Sequence, residues 1–224
     1  MATRVFGRVT VTTPDLDDPG LSLSHVDSLD SGRGILQDFS FGGADLRSLD
    51  LADTRLITGR IREVRSQRVG FQAVNLHGVE IIGSDLRSVR WSESRLTRVV
   101  VRDSQFMGAA LDGLVLDDVL FERCRFDYAT FDKLRAAGPV AFVGCALADA
   151  VFSDSDLSDA VFSDCTLRLT EFGSGRYRDT DLRGNDLSGI RGVVNLAKAR
   201  IDHTQQADLA HALVNELGIT VGDD

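Results

Sequence analysis

Apolar residues recur at every fifth position along most of this 224-residue chain. The ladder starts at Leu36 and steps by five to Phe131, and nineteen of its twenty members are apolar, Ser66 being the exception. After a slip of one residue it resumes at Phe142 and continues to Leu187. Eleven of the 12 Phe residues fall on this ladder when it is extended back to Phe6, and only Phe39 does not.

The position two residues before each ladder residue is mostly small and never charged. Across 36–131 and 142–187 these two positions number 60, and a charged fraction of 26% would place roughly 16 charges there by chance. Both positions must therefore face the interior. The remaining three positions of each five carry the charges, so we expect them to face water.

This period matches neither of the common secondary structures. A helix would bury positions i, i+3, i+4 and i+7, and a strand would alternate strictly. A period of five with two inward residues fits a coil that turns a corner every five residues. Four such sides close a square of 20 residues, and squares stacked at about 4.8 Å satisfy their backbone groups between coils.

The repeats resemble the pentapeptide-repeat proteins, whose consensus is roughly Ala-Asp/Asn-Leu/Phe-x-x. The matching segments are Ala44-Asp45-Leu46-Arg47-Ser48, Val74-Asn75-Leu76-His77-Gly78, Ser84-Asp85-Leu86-Arg87-Ser88, Ser155-Asp156-Leu157-Ser158-Asp159 and Thr180-Asp181-Leu182-Arg183-Gly184. The resemblance implies an all-β solenoid, a right-handed quadrilateral β-helix, ending in a short C-terminal α-helix. Seven to eight coils would span about 36 Å.

The ladder divides the chain into three regions. Residues 1–35 are ragged and form an irregular N-terminal cap, in which Val9-Thr10-Val11-Thr12 is a strand. Residues 36–201 form the β-helix, with a break near 132–141 where the ladder slips. The break is either a local bulge or a functional loop that contacts a partner. Residues 202–224 form the C-terminal helix and tail.

A repeat of 20 residues also predicts columns of identical side chains. Cys124, Cys145 and Cys165 should lie above one another as small buried corner residues, because a single column does not offer the converging ligands that a metal needs. The phenylalanines should form two stacked columns in the core, namely Phe131, Phe152 and Phe172, and Phe121, Phe142 and Phe162.

The spacing becomes helical between residues 204 and 217. Asp202 or Thr204 caps the start, with Gln205 completing a capping box, and Gly218 ends the helix. Residues 219–221 are expected to form a short strand. In the short gyrase-targeting members of the family, a helix at this place joins two monomers. The resemblance thus implies a homodimer through the C-terminus, and the alternative is a monomer whose helix only covers the last coil. The expected dimer contacts are Ala210, Leu213, Val214 and Leu217.

The sequence contains no recognisable catalytic, cofactor-binding or metal-binding motif. The four histidines are scattered, and no phosphate-binding loop, dinucleotide fingerprint or nucleophile elbow is present. We therefore expect a protein that is not an enzyme and that has no cofactor. The first 20 residues show no apolar segment of signal-peptide length, and no apolar run of 18 residues occurs, so we expect a cytoplasmic protein without a membrane partner.

The formal charge of −9 is unevenly distributed. Residues 38–103 sum to +2, whereas 149–186 sum to −5. The expected partner-binding acidic surface consists of Asp149, Asp154, Asp156, Asp159, Asp164, Asp179, Asp181 and Asp186. Ten arginines of the middle region are expected to point outward, either to hold an anionic partner or as a solvated mixed surface. They are Arg55, Arg60, Arg62, Arg65, Arg68, Arg87, Arg90, Arg95, Arg98 and Arg102.

Two functional hypotheses remain open. The resemblance implies a protein that mimics DNA and modulates DNA gyrase or another type II topoisomerase, which could confer resistance to quinolones or toxins. DNA carries one charge per about 1.7 Å, so about six over two coils, and the −5 of residues 149–186 is comparable. The net positive segment 38–103 does not support mimicry along the full length. The alternative is a general protein interaction scaffold unrelated to topoisomerases. Neither hypothesis includes binding to nucleic acid.

Overall fold

The computed structural model describes residues 2–30, 32, 34–220 and 222, and it shows a parallel β-solenoid of about seven turns. The predicted fold class is confirmed. The largest sheet covers two adjacent sides of the solenoid. Its strands are Ser24–His25, Ile35–Gly42, Arg55–Arg62, Asn75–Ile82, Arg95–Arg102, Val115–Glu122, Arg135–Ala136, Val140–Val143, Ser155–Asp156, Val161–Ser163 and Gly175–Arg176.

The other two sides are built from shorter strands. One side is a seven-stranded sheet, and the other begins as a strand pair and continues as isolated bridges as far as Thr166. The strands of the first are Leu49–Ala52, Val69–Gln72, Arg90–Ser92, Ala110–Asp112, Thr130–Asp132, Val151–Ser153 and Glu171–Phe172. The pair consists of Asp45–Leu46 and Arg65–Ser66.

Successive coils pair in parallel at a spacing of 20 residues, as the period of five requires. Leu76 lies opposite Leu56 on one neighbour and Leu96 on the other. The ladder residues fill the axis, and most are less than 5% exposed. Phe39, the phenylalanine outside the ladder, is also fully buried, because Gly59 one coil later leaves room for its ring.

The predicted aromatic and cysteine columns are both present. Phe142 stacks on Phe121 and Phe162 with ring centroids 4.9 and 4.8 Å apart, and a parallel column holds Phe131, Phe152 and Phe172. Rings of the two columns meet edge to face, which is a favourable geometry for aromatic quadrupoles. The three cysteines are free and buried, and each thiol donates to backbone carbonyls.

The break in the ladder is a bulge of one residue. Val115 pairs with Arg135 at a spacing of 20, but Val119 pairs with Val140 at 21. The amides of Ala137 and Gly138 both donate to the Leu116 carbonyl, so two residues face one, as in a β-bulge. The spacing of 20 then resumes, and the columns continue through the break.

The first residues form a β-hairpin that lies along one side of the solenoid. Strand β1 (Ala2–Phe6) pairs antiparallel with β2 (Val9–Thr13), so the strand expected at 9–12 is confirmed. Residues 1–35 were expected to cap the N-terminal end of the solenoid, but the hairpin lies along its side. It packs against the coils that contain residues 95–102, 115–122 and 140–143. The end itself is covered by Val26 and Leu29, which join the core.

The hairpin and the segment that follows it cover a set of outward-facing residues that we call the covered column. All seven are less than 9% exposed, although each occupies a position expected to face water. The middle of the column is apolar and packs with Val11 of β2. The covered column consists of Arg60, Glu80, Val100, Leu120, Ala141, Val161 and Asp181.

Ion pairs anchor the segment that covers this column. Arg4 of β1 donates two hydrogen bonds to Glu122, one of them 3.0 Å long, and the Thr12 amide donates to Asp118 over 2.8 Å. Arg60 donates to Glu80 and to Asp17 of the covering segment. Arg60 was expected to point into solvent; it is only 8% exposed because that segment lies over it.

The C-terminal segment contains a 3₁₀ turn at His203–Gln205 and helix α1 (Gln206–Glu216), preceded by a second 3₁₀ turn at Val193–Asn195. The capping box of Asp202 and Gln205 is confirmed. The Gln205 amide also donates to carbonyls of the last coil, which fixes the start of the helix. Residues 219 and 220 lie in no strand, contrary to expectation, and Val221 lies outside the described residues.

Candidate protein-binding surface

The acidic residues of the C-terminal coils encircle the solenoid rather than share one side. Asp149, Asp154, Asp159 and Asp164 occupy four successive corners of one turn. Each has a positive φ, between 48° and 61°, a left-handed conformation that aspartate tolerates better than most residues. We call these four residues the acidic belt. Its regularity follows from the corner geometry, which directs every fifth side chain outward.

Arginines of neighbouring coils neutralise part of the predicted acidic surface. Asp149 pairs with Arg168 over 3.2 Å, and Asp179 pairs with Arg200. Burial acts to raise the pKa of Asp156, but hydrogen bonds from Ser158 and the contact with Arg176 outweigh it, so the pKa is lowered.

Asp181 is the predicted site residue that the structure removes from the surface. It is 6% exposed, it lies beneath Gly7 in the turn of the hairpin, and Arg183 binds its carboxylate. The hydrogen bond from Arg183 lowers the pKa of Asp181. Asp181 therefore supports the fold and is not available to a partner.

Among the described residues of 149–186, five acids have no ion pair with arginine or lysine. Asp154 and Asp164 accept hydrogen bonds from Ser174 and Ser163. Asp186 accepts from Ser188, and this bond lowers its pKa. The complete set is Asp154, Asp159, Asp164, Glu171 and Asp186. Three of them belong to the acidic belt, so the belt is the strongest uncompensated acidic feature of these coils.

The arginines of the middle region are distributed over several sides and are partly paired. Arg87 binds Asp85, Arg102 binds Glu80, and Arg98 contacts His77. Burial and the neighbouring Arg98 lower the pKa of His77. Arg55 and Arg95 lie two coils apart on the same side and are exposed. The structure therefore gathers these arginines into no single patch.

The four residues expected at a dimer interface have different environments. Leu213 is half-buried and packs against the core of its own chain, together with Leu209 and Ala212. Ala210 and Leu217 are exposed, Leu217 by 58%, and Val214 is half-buried. The helix therefore packs on its own chain through a face that is rotated by about one residue from the apolar face Ala210, Leu213, Val214 and Leu217.

The described part of the chain contains no group of three or more His, Cys, Asp or Glu residues arranged to hold a metal ion. The contact with the Cys124 thiol, together with burial, raises the pKa of Cys145 to about 12, and similar causes raise that of Cys165. A thiol with a raised pKa is a poor nucleophile at neutral pH. No helix within the described ranges combines the length and apolar character needed to cross a membrane.

Residues 114–191 match the family model described as pentapeptide repeat region. This part of the chain is a pentapeptide-repeat region. No curated protein sequence matches it. Among solved structures, trypsin-treated QnrB1, described as a plasmid-mediated fluoroquinolone resistance protein, is 16% identical, and the match covers 90% of this chain and 100% of that chain with a TM-score of 0.42.

Two further structures are similar to this chain. Full-length QnrB1 is 17% identical, with coverage of 80% and 99% and a TM-score of 0.31. HetL from the cyanobacterium Nostoc sp. Strain PCC 7120, a pentapeptide repeat protein involved in heterocyst differentiation regulation, is 18% identical, with coverage of 74% and 86% and a TM-score of 0.30. No functional assignment rests on these similarities.

Proposed function

We propose that this pentapeptide-repeat protein is a non-enzymatic, protein-binding rod whose acidic belt binds a cationic surface of a DNA-handling enzyme. The observation that carries the proposal is the belt, in which three aspartates on successive corners form no ion pair among the described residues. A surface that grips duplex DNA is cationic and concave, and a rod encircled by carboxylates offers it complementary charge. The specific candidate is DNA gyrase, with protection from quinolones or toxins as the consequence.

The filled axis supports a binding role over a catalytic one. The stacked Phe rings fill the axis of the coils that carry the belt, and Asp154 and Asp164 lie exposed at outward corners of these coils. Catalytic groups usually sit in concave sites where burial tunes their pKa values. A general interaction scaffold remains the second candidate, and the partly unpaired arginines of the middle region favour it, because they offer an anionic partner several separate contacts.

We further propose that two protomers join at their C-terminal ends, which would place both acidic belts near the centre of a longer rod. Leu217 and Ile219 are 58% and 54% exposed at this end, and Val194 beside them is 61% exposed. Sedimentation measurements test this proposal: a mass near 49 kDa is expected, twice the 24.4 kDa of one chain. A monomer at all concentrations would contradict the dimer without affecting the acidic belt.

A supercoiling assay tests the proposed partner. Purified protein is added to DNA gyrase with and without a fluoroquinolone, and we expect either inhibition of supercoiling or protection from the drug at micromolar protein. The triple variant Asp154→Asn, Asp159→Asn, Asp164→Asn removes three charges while keeping residues that tolerate the left-handed corners. We expect its effect on gyrase to fall about tenfold or more.

A matched control removes the same charge elsewhere. The variant Asp53→Asn, Glu63→Gln, Glu93→Gln changes three exposed corner residues that also have positive φ, but in the N-terminal coils. It should act on gyrase as the unmodified protein does. No effect of the unmodified protein, or equal losses in both triple variants, would contradict the proposed role of the belt.

A further inference from the structure

A cleft of about 530 Å³ lies between the free edge of β2 and the bulge in the solenoid. One wall is formed by Arg8, Val9 and Thr10 of the hairpin, and the other by residues 136–139. The coils beyond the bulge contribute Ser158, Asp159, Val161, Asp179, Asp181 and Arg200. Polar and apolar residues contribute about equally to the lining, and the size of the cleft is typical of sites for small molecules or short peptides.

The edge of β2 that faces this cleft has backbone groups available for pairing. The turn of the hairpin has two residues, so hydrogen bonding alternates along β2. Val9 and Val11 bond to β1, whereas Thr10 and Thr12 direct their backbone groups to the opposite edge. The Thr12 amide is satisfied by the Asp118 carboxylate. Thr10 is the next residue along this edge, and it borders the cleft.

The bulge explains why the Thr10 backbone lacks the partner that Thr12 has. Asp118 occupies a corner of its coil and reaches the hairpin from there. In the next coil the bulge replaces that corner with Gly138 and Pro139, which have no polar side chain. The amide of Gly138 is committed to Leu116 and the carbonyl of Pro139 to Val119. The inserted residue therefore leaves the strand edge open.

One carboxylate that lines the cleft, that of Asp159, is left for a basic side chain of a ligand. Asp179 is paired with Arg200, and Asp181 with Arg183, so these carboxylates are satisfied within the protein. Asp159 is exposed and has no ion pair within the described ranges. Once Arg183 is counted as the partner of Asp181, the three aspartates face three arginines, and the two lining charges without an ion pair within the described ranges are Asp159 and, on the hairpin wall, Arg8.

We infer that this cleft binds an extended segment of a partner protein, which adds as a third strand to β2 and places an arginine or lysine side chain against Asp159. Main-chain hydrogen bonds to Thr10 supply the orientation in this mode of recognition, and the side-chain contact supplies specificity. A guanidinium suits the carboxylate because the two can form paired hydrogen bonds. This site shares Asp159 with the acidic belt, but the peptide measurements require no gyrase, so each proposal can fail without the other.

Two synthetic peptides test the inference on the full-length protein. The first is acetyl-Val-Thr-Arg-Thr-Val-amide, and the second replaces its arginine with glutamate. We expect the arginine peptide to bind about tenfold more tightly in fluorescence anisotropy, and to shift the Thr10 amide resonance in a ¹⁵N-labelled sample. Equal affinity of the two peptides, or shifts that leave out Thr10 and its neighbours, would overturn the inference.

Matched variants locate the binding site. Asp159→Asn should abolish the preference for arginine while retaining the fold, because asparagine tolerates the same left-handed corner. Asp53→Asn, at a corner of the N-terminal coils, should leave the preference unchanged. Circular dichroism of both variants reports on folding. If Asp159→Asn retains the preference, the cleft does not hold the peptide.

Discussion

The covered column and the neighbouring outward column differ only in what lies over them. All their members except Asp181 belong to the same large sheet, and both columns face away from the same core. The neighbouring column is largely exposed and polar; its members are Arg55, Asn75, Arg95, Val115, Arg135, Asp156 and Arg176. The covered column is buried, apolar in its middle and charged at its ends. The repeat therefore determines which residue types lie inside the solenoid, whereas the residue types on its outer surface depend on whether another segment covers them.

The largest expected effect comes from the axis, which both columns share. Phe142 is fully buried between two stacked rings, so Phe142→Ala leaves a cavity and should cost about 3–5 kcal/mol of unfolding free energy. Val151→Ala, at an outward and half-buried position, should change it by about 0.5 kcal/mol or less. Urea denaturation followed by circular dichroism measures both. Similar losses would mean that the axis does not dominate stability.

A charge placed in each column tests the comparison directly. Leu120 and Val115 both point outward from strand Val115–Glu122, but Leu120 is fully buried and Val115 is half-buried. Leu120→Asp places an unpaired charge beneath the hairpin, so hydrogen-exchange protection of the Val11 amide should fall by about 2–3 kcal/mol. Val115→Asp should leave that protection unchanged. Loss of protection in both variants would show that the hairpin responds to net charge and not to its apolar contact.

The smallest expected effect concerns the ion pair that anchors the hairpin. The hydrogen bond from Arg4 lowers the pKa of Glu122 below its ordinary value of about 4.3. The ion pair contributes its full stabilisation above about pH 4.3, where the Glu122 carboxyl is ionised in both the folded and the unfolded chain. This stabilisation is lost as the pH falls towards the lower pKa that Glu122 has in the folded state. Hydrogen-exchange protection of the hairpin should therefore fall by about 1 kcal/mol between pH 5 and pH 3.

The control for this titration is Glu122→Gln, which removes the ionisable group. Its hairpin should be less protected at neutral pH and should show a smaller change between pH 5 and pH 3. An unaltered titration in this variant would assign the acid sensitivity to another group.

The period of five was sufficient to predict the fold, because burial of two residues in five determines a square coil whatever the outer residues are. The position of the hairpin was not predicted, since the same rule treats all four sides alike. A signal was nevertheless present. Val100, Leu120, Ala141 and Val161 place apolar residues at the same outward position in four successive coils.

The positions of the acidic residues were predicted from the sequence, but the charge that is left after their pairing with arginines was not. Pairs such as Asp156 with Arg176 lie 20 residues apart and follow from the coil period, so counting charges along the chain overstates what a partner meets. The docking face of α1 was also displaced. The 3₁₀ turn before the helix sets its rotation, so that Ala212 faces the core and Glu216 accepts the Val193 amide.

The cysteine column has a consequence for measuring how this rod opens. The three thiols lie in successive coils across the bulge, and each is less than 9% exposed. A thiol reagent can reach them only when the coils separate, since all three are buried and the raised pKa values of Cys145 and Cys165 further suppress their reaction in the closed state. The labelling rate of each single-cysteine variant would thus report the opening frequency of one coil. Comparing the three labelling rates, from cysteines one coil apart, would show whether the rod opens progressively from its end or in one cooperative step.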